Sequence, residues 1–149
     1  MNRRAKIIGE EGEKRAVELL KSFGFILSRP DFSGYQRKPR LFYGEEIEAD
    51  EDIEFEIKTK SERFDGIKYN NGPKFIGHGT DVYQIEKRLR RHMMYGIKQF
   101  FLVIQTDGRM YGQWLHRLED GVKGLTKQGI RVYPLEAFIE IPDIYRGKE

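Results

Sequence analysis

The sequence predicts a mixed α/β fold, in which helices flank a central sheet in the order helix, three strands, helix, strand. Three patterns support this prediction. Residues 53–60 alternate between apolar and charged side chains, which is typical of a strand with one buried face. Residues 3–23 and 81–95 repeat apolar side chains at helical spacing. Residues 100–104 are all apolar, which indicates a central strand that is covered on both faces.

The composition limits the class of protein. A chain of 149 residues can form one domain, and we expect a core over residues 3–106 with a C-terminal extension over 107–149. The chain contains no cysteine, which excludes disulfides and thiolate metal sites. No apolar run follows the basic N-terminus, so we expect no signal peptide, no membrane span and a cytoplasmic location.

The net charge of +3 says little about partners, but the charges are unevenly distributed. Acidic residues concentrate in 45–56, and basic residues concentrate in 36–40 and 87–91. This arrangement is expected of an acidic metal pocket beside basic phosphate-binding surfaces. Ordinary mixed surface charge would produce the same pattern, and both interpretations stay open.

The first helix carries a charged residue on its apolar face. The apolar stripe consists of Ala16, Val17, Leu20 and Phe23. Gly24 is a typical helix stop. Glu13 lies at the centre of the stripe, and a carboxylate that faces a core is costly unless it is paired or binds a metal. The alternative is that Glu13 reaches solvent at the open end of the helix.

The region after this helix is expected to contain three strands and two loops. Residues 24–28 read as a short strand, and 29–40 read as a loop with turn-forming and basic residues. Residues 41–47 and 53–60 are predicted to pair as a hairpin with its turn near 49–52. The glycine-rich segment 61–79 is predicted to be a long polar loop.

A second helix is predicted over residues 81–95, with Thr80 as its cap and Gly96 as its stop. Its expected buried residues are Val82, Ile85, Leu89 and Met93. The opposite face would suit phosphate binding or simply face solvent, and it carries Gln84, Lys87, Arg88 and Arg91.

The C-terminal part is expected to add mainly strands. Residues 106–109 form a predicted turn into a partner strand over 110–115. Residues 116–129 are polar and contain glycine. A further strand is expected over 130–133 and a helical turn over 135–139.

Glu56 and Lys58 are the principal site candidates. Both belong to the charged face of the predicted strand, one pleat apart, with about 7 Å between their Cα atoms. A carboxylate and an ammonium held in this way could share a metal and a water. An acid-x-Lys tripeptide alone has little specificity, so its structural context decides.

The context of Glu56-Ile57-Lys58 resembles that of the PD-(D/E)xK nuclease superfamily. The tripeptide ends the third predicted strand, after a helix with an inward glutamate and before a basic helix, as in the restriction-endonuclease-like αβββαβ core. The opening half is most similar to the archaeal Holliday junction resolvase branch, from Gly12-Glu13 through Gly24-Phe25 to Glu56-Ile57-Lys58-Thr59. The resemblance covers residues 9–106.

This resemblance implies a Mg²⁺-dependent DNA endonuclease in which Mn²⁺ can substitute and no organic cofactor is needed. Glu56 and an upstream acid would hold the metal with help from the Ile57 carbonyl. Lys58 would orient or activate the attacking water, or stabilise the pentavalent phosphate. Glu13 would ligate a second metal or position a metal-bound water. Two equivalent cuts need two active sites and the chain offers one, so we expect a homodimer.

The upstream acid is the open point of this assignment. Asp31 stands in a Pro-Asp pair directly after the first strand, but the intervening loop must fold back to reach Glu56. Glu46 would lie almost directly across from Glu56 if the predicted hairpin forms. Asp50 and Asp52 lie too close to the predicted turn and are set aside. We favour Asp31, with Glu46 as its main rival.

Further residues are candidates for contacts to double-stranded or branched DNA. Arg37, Lys38 and Arg40 could form a mobile arm that clamps DNA or simply belong to a polar loop, and Lys60 extends the charged face of the strand. His78 could contact phosphate, although a lone loop histidine is more often incidental. Gln84 resembles a Gln or Lys that several branches of the family place beside the active site.

Two other functions stay open. The chain could be a non-catalytic nucleic-acid-binding or assembly module that keeps the fold, which the ambiguous upstream acid favours and the intact Glu56/Lys58 pair opposes. Alternatively, the acidic hairpin could be a protein-interaction surface. High salt would weaken binding to DNA more than specific binding to a folded partner.

Overall fold

The structure, a computed structural model, describes residues 3–28, 32–68, 74–120, 125–127 and 129–142. Its helices are α1 (Arg3–Ser22), α2 (Val82–Tyr95) and α3 (Leu115–Asp120), with a 3₁₀ turn over Leu135–Ala137. Its strands are β1 (Ile26–Ser28), β2 (Ser33–Tyr35), β3 (Arg40–Phe42), β4 (Glu45–Ile47), β5 (Ile53–Lys60), β6 (Phe64–Lys68), β7 (Lys74–Asp81), β8 (Lys98–Gln105), β9 (Met110–Trp114), β10 (Leu125–Lys127), β11 (Ile130–Pro134) and β12 (Ile139–Glu140). None of the described helices has the length and apolar character that a membrane span requires.

A six-stranded sheet forms the centre of the fold, in the order β1-β2-β5-β8-β9-β12. β5 pairs in parallel with β8, with Glu56 opposite Phe101, and the other neighbours in this sheet pair antiparallel. α1 covers one face, where Leu20 packs in a cluster with Phe55. α2 covers the other face, where Ile85 packs with Phe101. The predicted fold, a central mixed sheet flanked by helices, is therefore confirmed.

The predicted order αβββαβ is present as α1, β1, β2, β5, α2 and β8, but the middle strand is not the predicted one. It is β2, which lies inside the predicted loop 29–40. Gly34 of β2 pairs with Leu27 on one side and with Ile53 on the other. A three-residue strand of Ser-Gly-Tyr has no alternating apolar pattern, so the sequence carries no periodic signal for it.

The predicted hairpin between residues 41–47 and β5 does not form. β3 and β4 pair with each other in a separate two-stranded sheet. Their turn is Tyr43-Gly44, where both residues have positive φ (45° and 83°), a conformation that suits a two-residue hairpin. Glu46 faces β3 in this pairing. It does not lie across from Glu56, on which its candidacy as the upstream acid depended.

A second sheet, in the order β10-β11-β7-β6, occupies the region where the sequence predicts the long loop 61–79. Gly77 and Gly79 are needed here for close approach rather than for loop flexibility. A Cβ atom on Gly77 would lie 2.0 Å from the carbonyl oxygen of Tyr133, and one on Gly79 would lie 1.9 Å from another carbonyl oxygen of β11. His78, which lies between these glycines, therefore belongs to a strand and not to a loop.

The residues after 106 add to both sheets. β9 pairs with β8 as predicted, and β11 forms where a strand is predicted over 130–133. The 3₁₀ turn lies within the predicted helical turn 135–139. The segment 116–129, for which no element is predicted, contains most of α3 and all of β10.

α2 differs from its prediction at its start and on one face. Thr80 is a buried residue of β7, and the helix follows Asp81, whose side chain makes no capping hydrogen bond. Ile85 is buried as predicted, but Met93 is 82% exposed, because basic side chains occupy part of the face toward β5. Gly96 ends the helix in the left-handed conformation, as predicted.

Candidate active site at strand β5

β5 separates apolar and charged side chains onto two faces, as its sequence predicts. Ile53 and Phe55 are fully buried among the α1 contacts, and Ile57 packs against the same cluster. Glu56 and Lys58 project toward the α2 side, where the Lys58 Nζ lies 3.5 Å from Glu56 Oε2. The Glu56 side chain is 10% exposed and that of Lys58 is 32% exposed. The pair is therefore set at the boundary between the interior and solvent.

Arg88 of α2 is the closest ion-pair partner of Glu56. Its Nε donates a hydrogen bond to Glu56 Oε1, its Nη1 donates to Gln99 Oε1 at 2.9 Å, and its Nη2 donates to the Phe55 carbonyl oxygen at 3.3 Å. The Arg88 side chain is 18% exposed. Three separate acceptors thus hold the guanidinium over the strand, so its hydrogen-bond donors are engaged by groups inside the protein rather than left for a ligand.

A second ion pair lies one helical turn further along α2. Arg91 donates to both carboxylate oxygens of Glu54, at 2.7 and 2.6 Å, and Gln99 Nε2 donates to Glu54 Oε1 at 2.8 Å. The hydrogen bonds from Arg91 hold the pKa of Glu54 below its usual range. Gln99 is 1% exposed and bonds to both pairs, since it also accepts from Arg88.

The remaining polar residues of this α2 face complete a small cavity of about 220 Å³. Gln84 is half-buried and Lys87 is exposed. Glu54 and the two arginines form the rest of the lining. Of the four basic or polar residues predicted on this face, two are therefore bound to carboxylates of β5, and Gln84 and Lys87 are left at the rim.

Glu13 lines a larger cavity, of about 570 Å³, on the other side of β5. Ile57 and Lys58 contribute to the same lining, so Lys58 is next to Glu56 and also borders the cavity of Glu13. Glu13 is half-buried, so it lies between the two alternatives expected from the sequence, a core-facing position and a solvated one. α1 lies very close to β5 at this point, because a Cβ atom on Gly12 would be 1.7 Å from Thr59 Oγ1.

The edge of β5 that faces β2 bears on the predicted metal ligands. The Phe55 amide donates to the Phe32 carbonyl oxygen at 3.1 Å, so the backbone groups of Phe55 point to this edge. Because this direction alternates from residue to residue along a strand, the backbone amide and carbonyl groups of Ile57 point to the same edge. Asp31, the favoured upstream acid, lies outside the described residues. Within the described ranges, no group of three or more acidic or histidine side chains is arranged to hold a metal.

Several predicted residues lie elsewhere. Glu46 is exposed in β4. His78 is fully buried, and its Nε2 is 2.7 Å from Gln105 Oε1, so its side chain does not reach the surface where a phosphate would bind. Burial lowers the pKa of His78. Arg37 and Lys38 are exposed, as an arm that binds DNA or is merely solvated would be.

Lys60 is partly buried at the end of the charged face. Its Nζ lies 5.8 Å from the centre of the Phe64 ring. Burial lowers the pKa of Lys60, and the neighbouring charge of Lys58 adds to this effect. The Lys60 side chain therefore continues the positive surface that begins at Lys58, and its own surroundings are less polar than solvent.

The sequence reasoning missed the role of Gln99 and the pairing of α2 with the acids of β5. A signal for the pairing exists. Glu54 and Glu56 are one pleat apart on a strand, about 7 Å, and Arg88 and Arg91 are one turn apart on a helix, about 5 Å. These similar spacings allow two parallel ion pairs once a helix crosses that face. Gln99 directly precedes the apolar run of β8, and a polar residue there is a candidate for a buried hydrogen bond.

Comparisons with known proteins find a similarity in structure but none in sequence. No protein-family model matches the chain, and no curated protein matches it in sequence. Among solved structures, it is similar to Hjc, a Holliday junction resolvase from the archaeal hyperthermophile Archaeoglobus fulgidus, with a TM-score of 0.50 and 12% identity. The match covers 92% of this chain and 94% of Hjc. At this identity the similarity shows the fold alone, which is the nuclease-like fold expected from the sequence.

Proposed function

We propose that this protein is a metal-dependent endonuclease of the PD-(D/E)xK type that hydrolyses phosphodiester bonds in double-stranded or branched DNA. The observation that carries the proposal is the Glu56–Lys58 pair, a carboxylate and an ammonium 3.5 Å apart on one face of β5. Lys58 of this pair borders the cavity that Glu13 lines, in a chain with the fold of a resolvase. A strand gives this pair the rigidity that a catalytic site needs.

The donor set fits a hard divalent cation in type. Glu56 offers a carboxylate oxygen, and the Ile57 carbonyl points to the edge of β5 that faces β2. Mg²⁺ and Mn²⁺ prefer such oxygen ligands. When bound, the cation would neutralise charge on the scissile phosphate and acidify the attacking water. The Glu56 carboxylate already accepts a hydrogen bond from Arg88, so the cation and the guanidinium would compete for it.

The third ligand of the proposed site is Asp31. It is bonded directly to Phe32, and the Phe32 carbonyl accepts the amide hydrogen of Phe55, the residue next to Glu56. Glu46 has no comparable route to the site, because β4 pairs with β3. We therefore propose Asp31 as the upstream acid.

Lys58 and Glu13 act on the water and the phosphate in this proposal. The Lys58 ammonium is partly exposed and would donate a hydrogen bond to the phosphate or orient the attacking water. Glu13 would hold a second cation or a water from its side of the cavity. Arg37, Lys38, Lys60, Gln84 and Lys87 would contact the DNA backbone, and two copies of the chain would cut two strands.

Cleavage assays test the proposal directly. The purified protein is incubated with duplex, forked, four-way and single-stranded DNA, with and without Mg²⁺ or Mn²⁺. We expect Glu56→Ala and Lys58→Ala to reduce cleavage by at least about a hundredfold, the usual size of a lost catalytic group, while DNA binding changes little. Asp31→Asn should behave as Glu56→Ala does, and Glu46→Ala should cleave like the wild type.

Circular dichroism and thermal unfolding would confirm that each variant is folded. Cleavage at the wild-type rate by either the Glu56 or the Lys58 variant would remove the catalytic assignment. A Glu46→Ala variant that loses cleavage while Asp31→Asn retains it would reverse the choice of upstream acid.

A second candidate function is a non-catalytic nucleic-acid-binding module. The engagement of Glu56 by Arg88 favours it, since a carboxylate that is neutralised internally does not need a metal. In that case the wild type would bind DNA with strong salt dependence and cleave none of the four substrates in either metal.

A further inference from the structure

The ion pair between Arg88 and Glu56 has a feature that an ordinary structural salt bridge does not need. Glu56 is held by two cations at once, Arg88 at Oε1 and Lys58 at 3.5 Å from Oε2. One carboxylate therefore faces two positive charges in a site that is mostly shielded from water. A single partner would already neutralise it.

The Arg88 side chain has other acceptors besides Glu56. Nη1 bonds to Gln99 and Nη2 bonds to the Phe55 carbonyl, so the guanidinium can lose Glu56 and still keep two hydrogen bonds. An arginine that depended on Glu56 alone would be left as a partly buried, unpaired charge, which is costly. The contacts thus allow the side chain to release Glu56 and remain at the site.

Resting on the proposed function, we propose that Arg88 is a positioning residue that holds Glu56 in place of the divalent cation and is displaced when the cation binds. The guanidinium keeps the carboxylate aimed and neutralised while the metal is absent. A cation that binds Glu56 must replace the hydrogen bond from Arg88 Nε. Arg88 then stays on Gln99 and the Phe55 carbonyl beside the site.

Arg91 provides a matched control on the same helix. It forms an ion pair of the same kind with the neighbouring acid Glu54, one turn away, and shares Gln99 as a partner. Glu54 is not one of the proposed ligands. A substitution that removes the charge of Arg91 therefore shows the general effect of losing a guanidinium from α2. The same substitution at Arg88 has this general effect and also removes the competition for Glu56.

Mn²⁺ binding without DNA tests the competition. The free Mn²⁺ signal in electron paramagnetic resonance gives the Kd for the wild type, Arg88→Gln, Arg88→Lys and Arg91→Gln. We expect Arg88→Gln to bind Mn²⁺ about tenfold more tightly than the wild type, the factor that one lost competing charge-assisted hydrogen bond gives. Arg88→Lys should lie between them, and Arg91→Gln should stay within about twofold of the wild type.

Nuclear magnetic resonance of the unmutated protein provides a test that does not depend on a variant that folds. The Arg88 Nε–H resonance, assigned through its side-chain correlations in the unmutated protein, should be slow to exchange without metal because it is bonded to Glu56. Titration with Mg²⁺ should shift it and speed its exchange with water. The Arg91 Nε–H resonance should keep its protection throughout.

Equal or weaker Mn²⁺ binding by Arg88→Gln, or an Arg88 Nε–H resonance that Mg²⁺ leaves unchanged, would overturn the inference. If the wild type nevertheless cleaves DNA with Mg²⁺, the proposed function survives that result and Arg88 is only structural. If the wild type neither binds Mn²⁺ nor cleaves DNA, both proposals fail.

Discussion

Replacement of Gly12 by alanine tests how closely α1 is packed on β5, and therefore what holds Glu13 beside Lys58. A Cβ atom on Gly12 would lie 1.7 Å from Thr59 Oγ1 and 2.8 Å from both Thr59 Cβ and Cγ2. Rotation of the Thr59 side chain cannot remove the contact with its Cβ atom, which is fixed by the backbone. The helix must therefore move away from the strand, and Glu13 moves with it.

Gly9→Ala is the matched control, because a Cβ atom there would meet nothing within 4 Å. Both substitutions gain the same helix propensity, about 1 kcal/mol for alanine over glycine. The difference in the free energy of unfolding between the two variants then isolates the overpacking at Gly12, which is typically about 1–3 kcal/mol. We expect Gly9→Ala to be slightly more stable than the wild type and Gly12→Ala to lie about 2 kcal/mol below Gly9→Ala.

Urea unfolding followed by circular dichroism measures both free energies, and DNA cleavage measures the displacement of Glu13. Adding Thr59→Ala to Gly12→Ala removes Oγ1 and Cγ2 but keeps Cβ, so it should recover part of the lost stability. Equal stability of Gly12→Ala and Gly9→Ala would refute the close packing and the idea that it positions Glu13.

The other predictions concern the two sheets. Burial lowers the pKa of His78 below 6.5, so the unfolded chain binds a proton more readily than the folded protein does. The free energy of unfolding should therefore be highest above pH 6.5 and should fall as the pH drops from 6.5 toward the lowered pKa. Urea unfolding at a series of pH values should show a weaker dependence on pH in His78→Gln. A pH-independent stability of the wild type over that interval would contradict this. Trp114 is fully buried, and its Nε1 donates to the carbonyl oxygens of Phe42 and Tyr43, both at 3.1 Å. Trp114→Ala should therefore cost about 3–5 kcal/mol in urea unfolding, and a cost below about 1 kcal/mol would show that β3 and β4 are not anchored through it.

Elements with a periodic pattern of apolar residues could be predicted from the sequence. Elements that depend on the close approach of two backbones could not. The alternation in β5 and the apolar run of β8 depend on local sequence alone, and both strands form as expected. β2 forms because Gly34 pairs with β1 on one side and with β5 on the other, and the local sequence does not show this pairing. Gly77 and Gly79 show the same limit, because glycines that admit a neighbouring backbone and glycines that loosen a loop are identical in sequence.

The candidate site divides in the same way. That Glu56 and Lys58 share a face follows from the pleat of one strand, and their side chains do meet. The ion pair of Glu56 with Arg88 depends on where α2 crosses the sheet, which is decided by packing over the whole domain. The error in placing Glu46 came from the Tyr43-Gly44 turn, whose left-handed tyrosine has no strong sequence signal.

The side-chain amide of Gln99 ties the two acids of β5 into one unit. Its oxygen accepts from Arg88 while its nitrogen donates to Glu54, so the two ends cannot be exchanged without both bonds being lost. Gln99 therefore links the Glu54–Arg91 pair to the Glu56–Arg88 pair through one side chain. Substitutions at the two acids should for this reason be interdependent, and natural variation at one of them would be tolerated mainly together with a compensating change at the other.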